Sequence, residues 1–177
     1  MRVIAGEFRS RRLRSVPGLD TRPTPDRMRQ TLFDILGDRV EGAVFLDAYA
    51  GTGSVGIEAL SRGAARAIFI ERSKNAAKTL RENLVSLAVE GRALVILDKV
   101  STALKANHAD IVFLDPPYER EAEYSTVLKL LGEAPPAQVV VQHSTRLALQ
   151  EIYGGLERYR LVKQGDNALT FYRPAGL

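Results

Sequence analysis

The sequence predicts an α/β fold: a Rossmann-like, mainly parallel seven-stranded sheet closed by a C-terminal antiparallel hairpin, with a small N-terminal hairpin-plus-helix appendage. Three observations carry this expectation. After Gly42, short β-rich apolar runs alternate with helical patterns, as βαβ units do. A glycine-rich turn follows the first apolar run. The tail then breaks the alternation with two strand-like runs joined by Gln164, Gly165, Asp166 and Asn167, residues that tolerate tight turns.

Taken in order, Arg2–Ile4 and Arg11–Leu13 pair as a small hairpin across residues 6–10, and a helix follows over Asp26–Leu36 after "TRPTP". The strands are Val44–Ala48, Ala67–Ile70, Ala93–Leu97, Ile111–Leu114 and Val139–Gln142, and then Glu157–Lys163 and Ala168–Tyr172 as the closing hairpin. Helices lie between them over Val55–Ser61, Lys74–Leu87, Ser101–Lys105 and Glu123–Leu131; Ala77, Leu80, Leu84 and Leu87 share one face of the second. This divides the chain into a basic appendage, residues 1–40, and a main domain, residues 41–177.

Composition narrows the function classes. A chain of 177 residues with 45% hydrophobic side chains can bury the core of one domain. The apolar runs Ile111–Leu114 and Val139–Val141 are far shorter than the roughly 20 residues of a membrane span, so a soluble, cytoplasmic protein is expected. The absence of cysteine excludes disulfides, thiolate nucleophiles and Cys-based zinc sites. His108 and His143 lack metal-ligand spacing, and no metal is expected. From Met1 to Gln30, Arg2, Arg9, Arg11, Arg12, Arg14, Arg22, Arg27 and Arg29 outnumber the acids by five, against a net charge of +4 for the whole chain. Arginine's planar fork suits phosphate, so this one-sided segment reads as a nucleic-acid footprint.

In "DAYAGTGSVG", Asp47–Gly56, Gly51, Gly53 and Gly56 have the spacing G-x-G-x-x-G between a strand and a helix, and Glu71 stands at the end of the next strand, where it can accept ribose hydroxyls. Dinucleotides and S-adenosylmethionine both suit this geometry. Asp47, four residues before Gly51, would repel a pyrophosphate and favours the ammonium and sulfonium of the methyl donor. Asp98, ending the third strand, is placed to meet an adenine amino group. The nucleoside-binding set is thus Asp47, Tyr49, Gly51, Thr52, Gly53, Gly56, Glu71, Asp98, Lys99 and Val100.

The stretch "DPPY", Asp115–Tyr118, ends the fourth strand beside the first, where α/β sheets bind ligands. An exocyclic base nitrogen has its lone pair delocalised into the ring. The Asp115 carboxylate and the Pro116 carbonyl can accept its two amino hydrogens and orient it, Pro117 stiffens the turn, and Tyr118 can stack on a base turned out of its helix.

With these motifs, the chain resembles class I S-adenosylmethionine-dependent methyltransferases with a [DN]-P-P-[YFW] motif. Within them it resembles the bacterial small-subunit ribosomal RNA guanine-N2 methyltransferase family of RsmD type. The resemblance covers nearly the whole chain: "MRVIAGEFRSRRL", "TRPTPDRMRQTLFDIL", "LDAYAGTGSVGIEALSRGA", "FIERS", "VFLDPPYE" and "GDNALTFYRP". Tyr49 departs from the usual "DLFAGSG", and "LDKVSTAL" departs from the common Asp-Ala pattern around Asp98. The resemblance implies a class I methyltransferase fold and methyl transfer from S-adenosyl-L-methionine to guanine N2 in 16S ribosomal RNA of the 30S particle. Asp115, Pro116, Pro117 and Tyr118 are then catalytic, and Arg9, Arg11, Arg12, Arg14, Arg22 and Arg27 meet the RNA. A monomer is expected. A DNA adenine-N6 methyltransferase would use the same "DPPY" but add a sequence-reading domain. An NAD-dependent oxidoreductase would need no "DPPY", and a non-catalytic RNA-binding assembly factor would carry a vestigial pocket.

Overall fold

A computed structural model describes residues 1–17, 24–117 and 119–177, so Arg22 and Tyr118 lie outside the described residues. Eight strands, β1 (Val44–Asp47), β2 (Arg66–Glu71), β3 (Ala93–Leu97), β4 (Ile111–Leu114), β5 (Gln138–Ser144), β6 (Ile152–Tyr153), β7 (Leu156–Gln164) and β8 (Asn167–Pro174), form one sheet in the order β3-β2-β1-β4-β5-β8-β7-β6. The first five are parallel and the last three antiparallel. The chain starts at the centre with β1, runs outward to β3 and returns to β4 on the other side of β1. That reversal opens a crevice at the carboxyl ends of β1 and β4. All seven expected strands are present. The eighth, β6, pairs only Ile152 with Glu157 and Tyr153 with Leu156, and two residues are too few to show a period-2 pattern.

Alternation along the buried strands feeds two cores. In β4, Val112 and Leu114 point to the layer of α4 (Val100–Ala106) and α5 (Glu121–Glu133), whereas Ile111 and Phe113 point to the opposite layer. That opposite layer holds α1 (Asp26–Leu36), α2 (Ser54–Ser61) and α3 (Lys74–Ser86). Met28, Leu32, Phe33 and Leu36 of α1 are buried against Phe45, Ile111, Phe113 and Phe171. Each such side chain contributes about 1.5–3 kcal/mol, enough to fix α1 to the sheet.

The first residues differ from a regular hairpin. A single antiparallel bridge joins Arg2 and Arg12, and Val3, Phe8 and Leu13 pack into the core beside Ile57, Leu60 and Leu84. The turn lies directly on the end of α2: Glu7 donates its N–H to the Ser61 carbonyl at 2.8 Å, and a Cβ on Gly6, whose φ is +84°, would stand 1.9 Å from that oxygen. Arg29, counted above in the basic segment, does not face solvent. It is fully buried, donating to the Arg2 carbonyl at 2.6 Å and to Asp26 at 3.1 Å, and lies 3.8 Å from Glu58. Glu58 is also without exposure and accepts the N–H groups of Ile4 (2.9 Å) and Ala5 (3.0 Å) and Nε of Arg62 (2.9 Å). One buried carboxylate therefore ties the N-terminus, α1 and α2 together.

Candidate active site

A cleft of about 540 Å³ opens at the carboxyl ends of β1, β2 and β4. Asp47, Tyr49, Gly51, Thr52, Glu71, Asp98, Val100, Asp115, Pro116 and Pro117 all line it. Three residues expected in the nucleoside-binding set do not. Gly53 and Gly56 are demanded by packing: a Cβ on Gly53 would lie 2.2 Å from Leu80, and one on Gly56 2.3 Å from the Phe69 ring. Gly53, with φ +91°, begins α2, and Gly56 lets that helix settle on β2. Lys99 is exposed just before α4, its N–H donated to Asp98 Oδ1 at 2.7 Å.

The three glycine N–H groups of the turn are taken up from within. Gly51 donates its N–H to Glu71 Oε2 (2.7 Å), Gly53 to the Ala50 carbonyl (2.8 Å) and Gly56 to Asp47 Oδ2 (3.0 Å). Those N–H groups are not left to cradle a pyrophosphate, and the carboxylates holding two of them would repel one. At Gly51, where φ is +57°, nothing approaches within 4 Å of a Cβ position, so the backbone is bare toward the cleft. Glu71 also accepts the Ser73 N–H at 2.8 Å, which fixes its carboxylate at the mouth of the cleft.

Two carboxylates are electrostatically burdened. Burial pushes the Asp47 carboxyl up to about 7; the Gly56 N–H opposes this, and the charges of Asp115 and Glu71 add to it. Burial likewise raises Asp115 to about 7, opposed by a hydrogen bond from Thr24. A cationic ligand relieves such a site. The cleft's volume, the acids Asp47, Glu71 and Asp98 in its lining and its bare glycine backbone suit a cationic nucleoside such as S-adenosylmethionine.

Behind the segment that follows β4, the Tyr124 hydroxyl donates to the Pro116 carbonyl at 3.3 Å. The Tyr49 hydroxyl donates to Glu123 at 2.8 Å, joining the glycine turn to the first turn of α5; burial and the Glu123 carboxylate raise the phenol's pKa. Thr24, Tyr124 and Glu123 carried no local signal in the sequence, since each reaches the site from a distant element. Thr24 alone could have been suspected, because a following proline disfavours helix and leaves it extended just ahead of α1. Asn83 is a fourth: buried in α3, it binds both backbone groups of Arg14 and the Thr52 carbonyl, stapling the basic segment to the glycine turn.

Of the expected RNA-facing arginines, Arg9, Arg11, Arg12, Arg14 and Arg27 are exposed and none lines the cleft. Arg11 donates to the Ser86 carbonyl at 2.8 Å, and Arg14 pairs with Glu82 at 3.2 Å. Among the described residues no helix is long and apolar enough to cross a membrane.

Residues 1–173 match the family described as conserved hypothetical protein 95. Ribosomal RNA small subunit methyltransferase D of Escherichia coli K12 is 40% identical over 177 residues, covering 98% of this chain and 89% of that protein. The solved structure of yhhF from Escherichia coli superposes with a TM-score of 0.86 at 31% identity, covering 100% of this chain and 99% of the other. An RNA methyltransferase from Salinibacter ruber, solved with S-adenosyl-L-homocysteine, shares the fold at a TM-score of 0.67 and 19% identity over 88% of this chain and 95% of its own. The chain belongs to the conserved hypothetical protein 95 family, and its fold is that of a class I S-adenosylmethionine-dependent methyltransferase.

Proposed function

We propose that the chain methylates the exocyclic N2 amino group of a guanine in small-subunit ribosomal RNA, acting as a monomer on the assembled or partly assembled 30S particle. The observation that carries this reading is the pairing of Asp115 and the Pro116 carbonyl at the edge of an acid-lined nucleoside cleft, in a chain whose relative is named for the RNA it methylates. S-adenosylmethionine, when bound, supplies a methyl group made electrophilic by its sulfonium.

The rest is done by side chains. Glu71 offers its remaining lone pairs to ribose hydroxyls, Asp47 faces the cationic end, and Asp98 meets the adenine amino group. Asp115 and Pro116 accept the two hydrogens of the guanine amino group, so that its lone pair is directed into the cleft. Tyr124 holds the Pro116 carbonyl in place, and the Thr24 hydrogen bond favours the charged form of Asp115 against the effect of its burial. The methylated nitrogen sheds a proton, which Asp115 is positioned to take. Tyr118, outside the described residues, is assigned to stacking on the extruded base. Residues 1–40 serve as the RNA-binding part of the molecule, with Arg9, Arg11, Arg12, Arg14, Arg22 and Arg27 meeting phosphates, and residues 41–177 carry the chemistry.

A basic segment of this size covers too little surface to select one guanine by base contacts, so selectivity is assigned to a surface built by folded RNA and ribosomal protein. Initial rates on purified small subunits should far exceed those on the same RNA stripped of protein, at matched salt. Equal or faster methylation of stripped RNA would show recognition of local sequence instead.

Two variants probe the roles assigned to the cleft. Glu71→Ala removes a charged acceptor and should weaken S-adenosylmethionine binding by about 1.5–3 kcal/mol in calorimetry; an unchanged dissociation constant would move the ribose contact elsewhere. Because Asp115 acts ionised, kcat/KM should rise with pH through about 7 and level off above it. Thr24→Val deletes the hydrogen bond that favours the charged form, so the midpoint should move upward by about one unit, and Thr24→Ser should restore it. A profile that ignores Thr24→Val removes Thr24 from the mechanism.

A further inference from the structure

The seam between α1 and β7 carries charge that the cleft does not use. Gln164 donates to the Thr31 hydroxyl at 2.5 Å, pinning β7 against α1. Along the same seam Tyr159 packs on Phe171, its ring 6.0 Å away, and its hydroxyl donates to Gln138. The Arg173 guanidinium lies 5.1 Å over the Tyr159 ring, and Arg173 Nε is buried without a hydrogen-bond partner. Arg160 stands opposite Phe171 in register, on the α1 face of the sheet, two residues along β8 from Arg173. Arg39 is exposed in the 3₁₀ turn Gly37–Val40 that follows α1. The charges acting on the Tyr159 hydroxyl are those of Arg39, Arg173 and Arg160. Three carboxylates are close by: Glu157 opposite Arg173, Asp38 beside Arg39, and the exposed Asp34 of α1, which accepts a hydrogen bond from Gln30 at 2.6 Å. Even so, neither Arg39, Arg160, Arg173 nor Arg27 enters an ion pair with a described carboxylate.

We propose that this seam is a second docking track for the RNA backbone, carried by Arg39, Arg160 and Arg173 and continuous through α1 with Arg27, resting on the reading that RNA is the substrate. α1, with 11 residues, is about 16 Å long. Arg27 stands at its end nearest Thr24 and the cleft, and Arg39 just beyond its other end, so the track leads away from the reacting base along several phosphates. The exposed Arg39 and Arg160, with the half-buried Arg173 stacked on an aromatic ring, suit a polyanion better than an apolar partner. The seam adds a footprint apart from the residue 6–12 turn, which lies against the ends of α2 and α3.

The test is the salt dependence of binding to protein-free small-subunit ribosomal RNA made by transcription. Arg39→Ala with Arg160→Ala should lower the slope of log K against log salt by about 1.5, since each lost phosphate contact removes about 0.7–0.9. S-adenosylmethionine affinity and Tm should not change, and Arg39→Lys with Arg160→Lys should keep the slope. If the alanine pair lowers Tm, Arg39→Gln with Arg160→Gln serves the same comparison. An unaltered slope overturns the proposal. So does a variant that binds free RNA normally yet methylates 30S particles poorly, because the partner at the seam would then be ribosomal protein. If the unmodified protein shows no salt-dependent binding either to free RNA or to 30S particles, the RNA substrate reading and this track fall together, an outcome distinct from failure of the track alone.

Discussion

Asp115→Ala is expected to lower turnover by about 10²–10³-fold while S-adenosylmethionine affinity stays largely intact, the scale of one positioned electrostatic group. Asp115 lines the cleft at the end of β4, next to the Pro116 carbonyl, on the side assigned to the acceptor. Stability should move the other way. The folded carboxyl titrates near 7, above its ordinary value, so between about pH 4 and 7 the native state holds the extra proton, and stability falls as pH rises through that window. Above pH 7 the wild-type protein carries the whole penalty, and Asp115→Ala should relieve it by on the order of 1 kcal/mol, discounted because the residue is only half-buried. A variant that is inactive yet no less stable at pH 8 separates a chemical role from unfolding. Cofactor affinity that collapses together with activity would instead place Asp115 in the donor pocket.

The largest effect on stability should come from Glu58→Ala, about 3–5 kcal/mol by urea denaturation. Removing this carboxylate takes away the fully buried charge that faces Arg29 at 3.8 Å, leaves the Ile4 and Ala5 N–H groups without their acceptor, and frees Arg62. Such a loss is a large part of a typical domain's 5–15 kcal/mol. A change below about 1 kcal/mol would mean that water reaches the site once Glu58 is gone.

The sheet was legible because β1 to β5 are apolar on both faces and bounded by turn residues, patterns that local sequence carries. That Asp115, Pro116 and Pro117 line the cleft was legible for a similar reason: the three are contiguous and follow directly on β4. The glycine spacing was readable as a turn, but of its three glycines only Gly51 lines the cleft. Gly53 and Gly56 are glycines because Leu80 and Phe69 press against them, and those neighbours lie 27 and 13 residues away in sequence. Charge counting had the same weakness. Arg29 adds to the basic segment in composition, yet burial and Glu58 make it a structural tie. Thr24, Asn83, Glu123 and Tyr124 act through pairings set by the fold, which no single stretch displays.

The measurement that tests the account most directly is nucleoside analysis of the RNA after the reaction. Small subunits from cells lacking this methylation would be incubated with the protein and methyl-labelled S-adenosylmethionine, and the 16S ribosomal RNA digested and separated. The account predicts label in N2-methylguanosine, abolished by Asp115→Ala. Label in N6-methyladenosine, or a protein that binds the cofactor and the particle but leaves the RNA unlabelled, would contradict it.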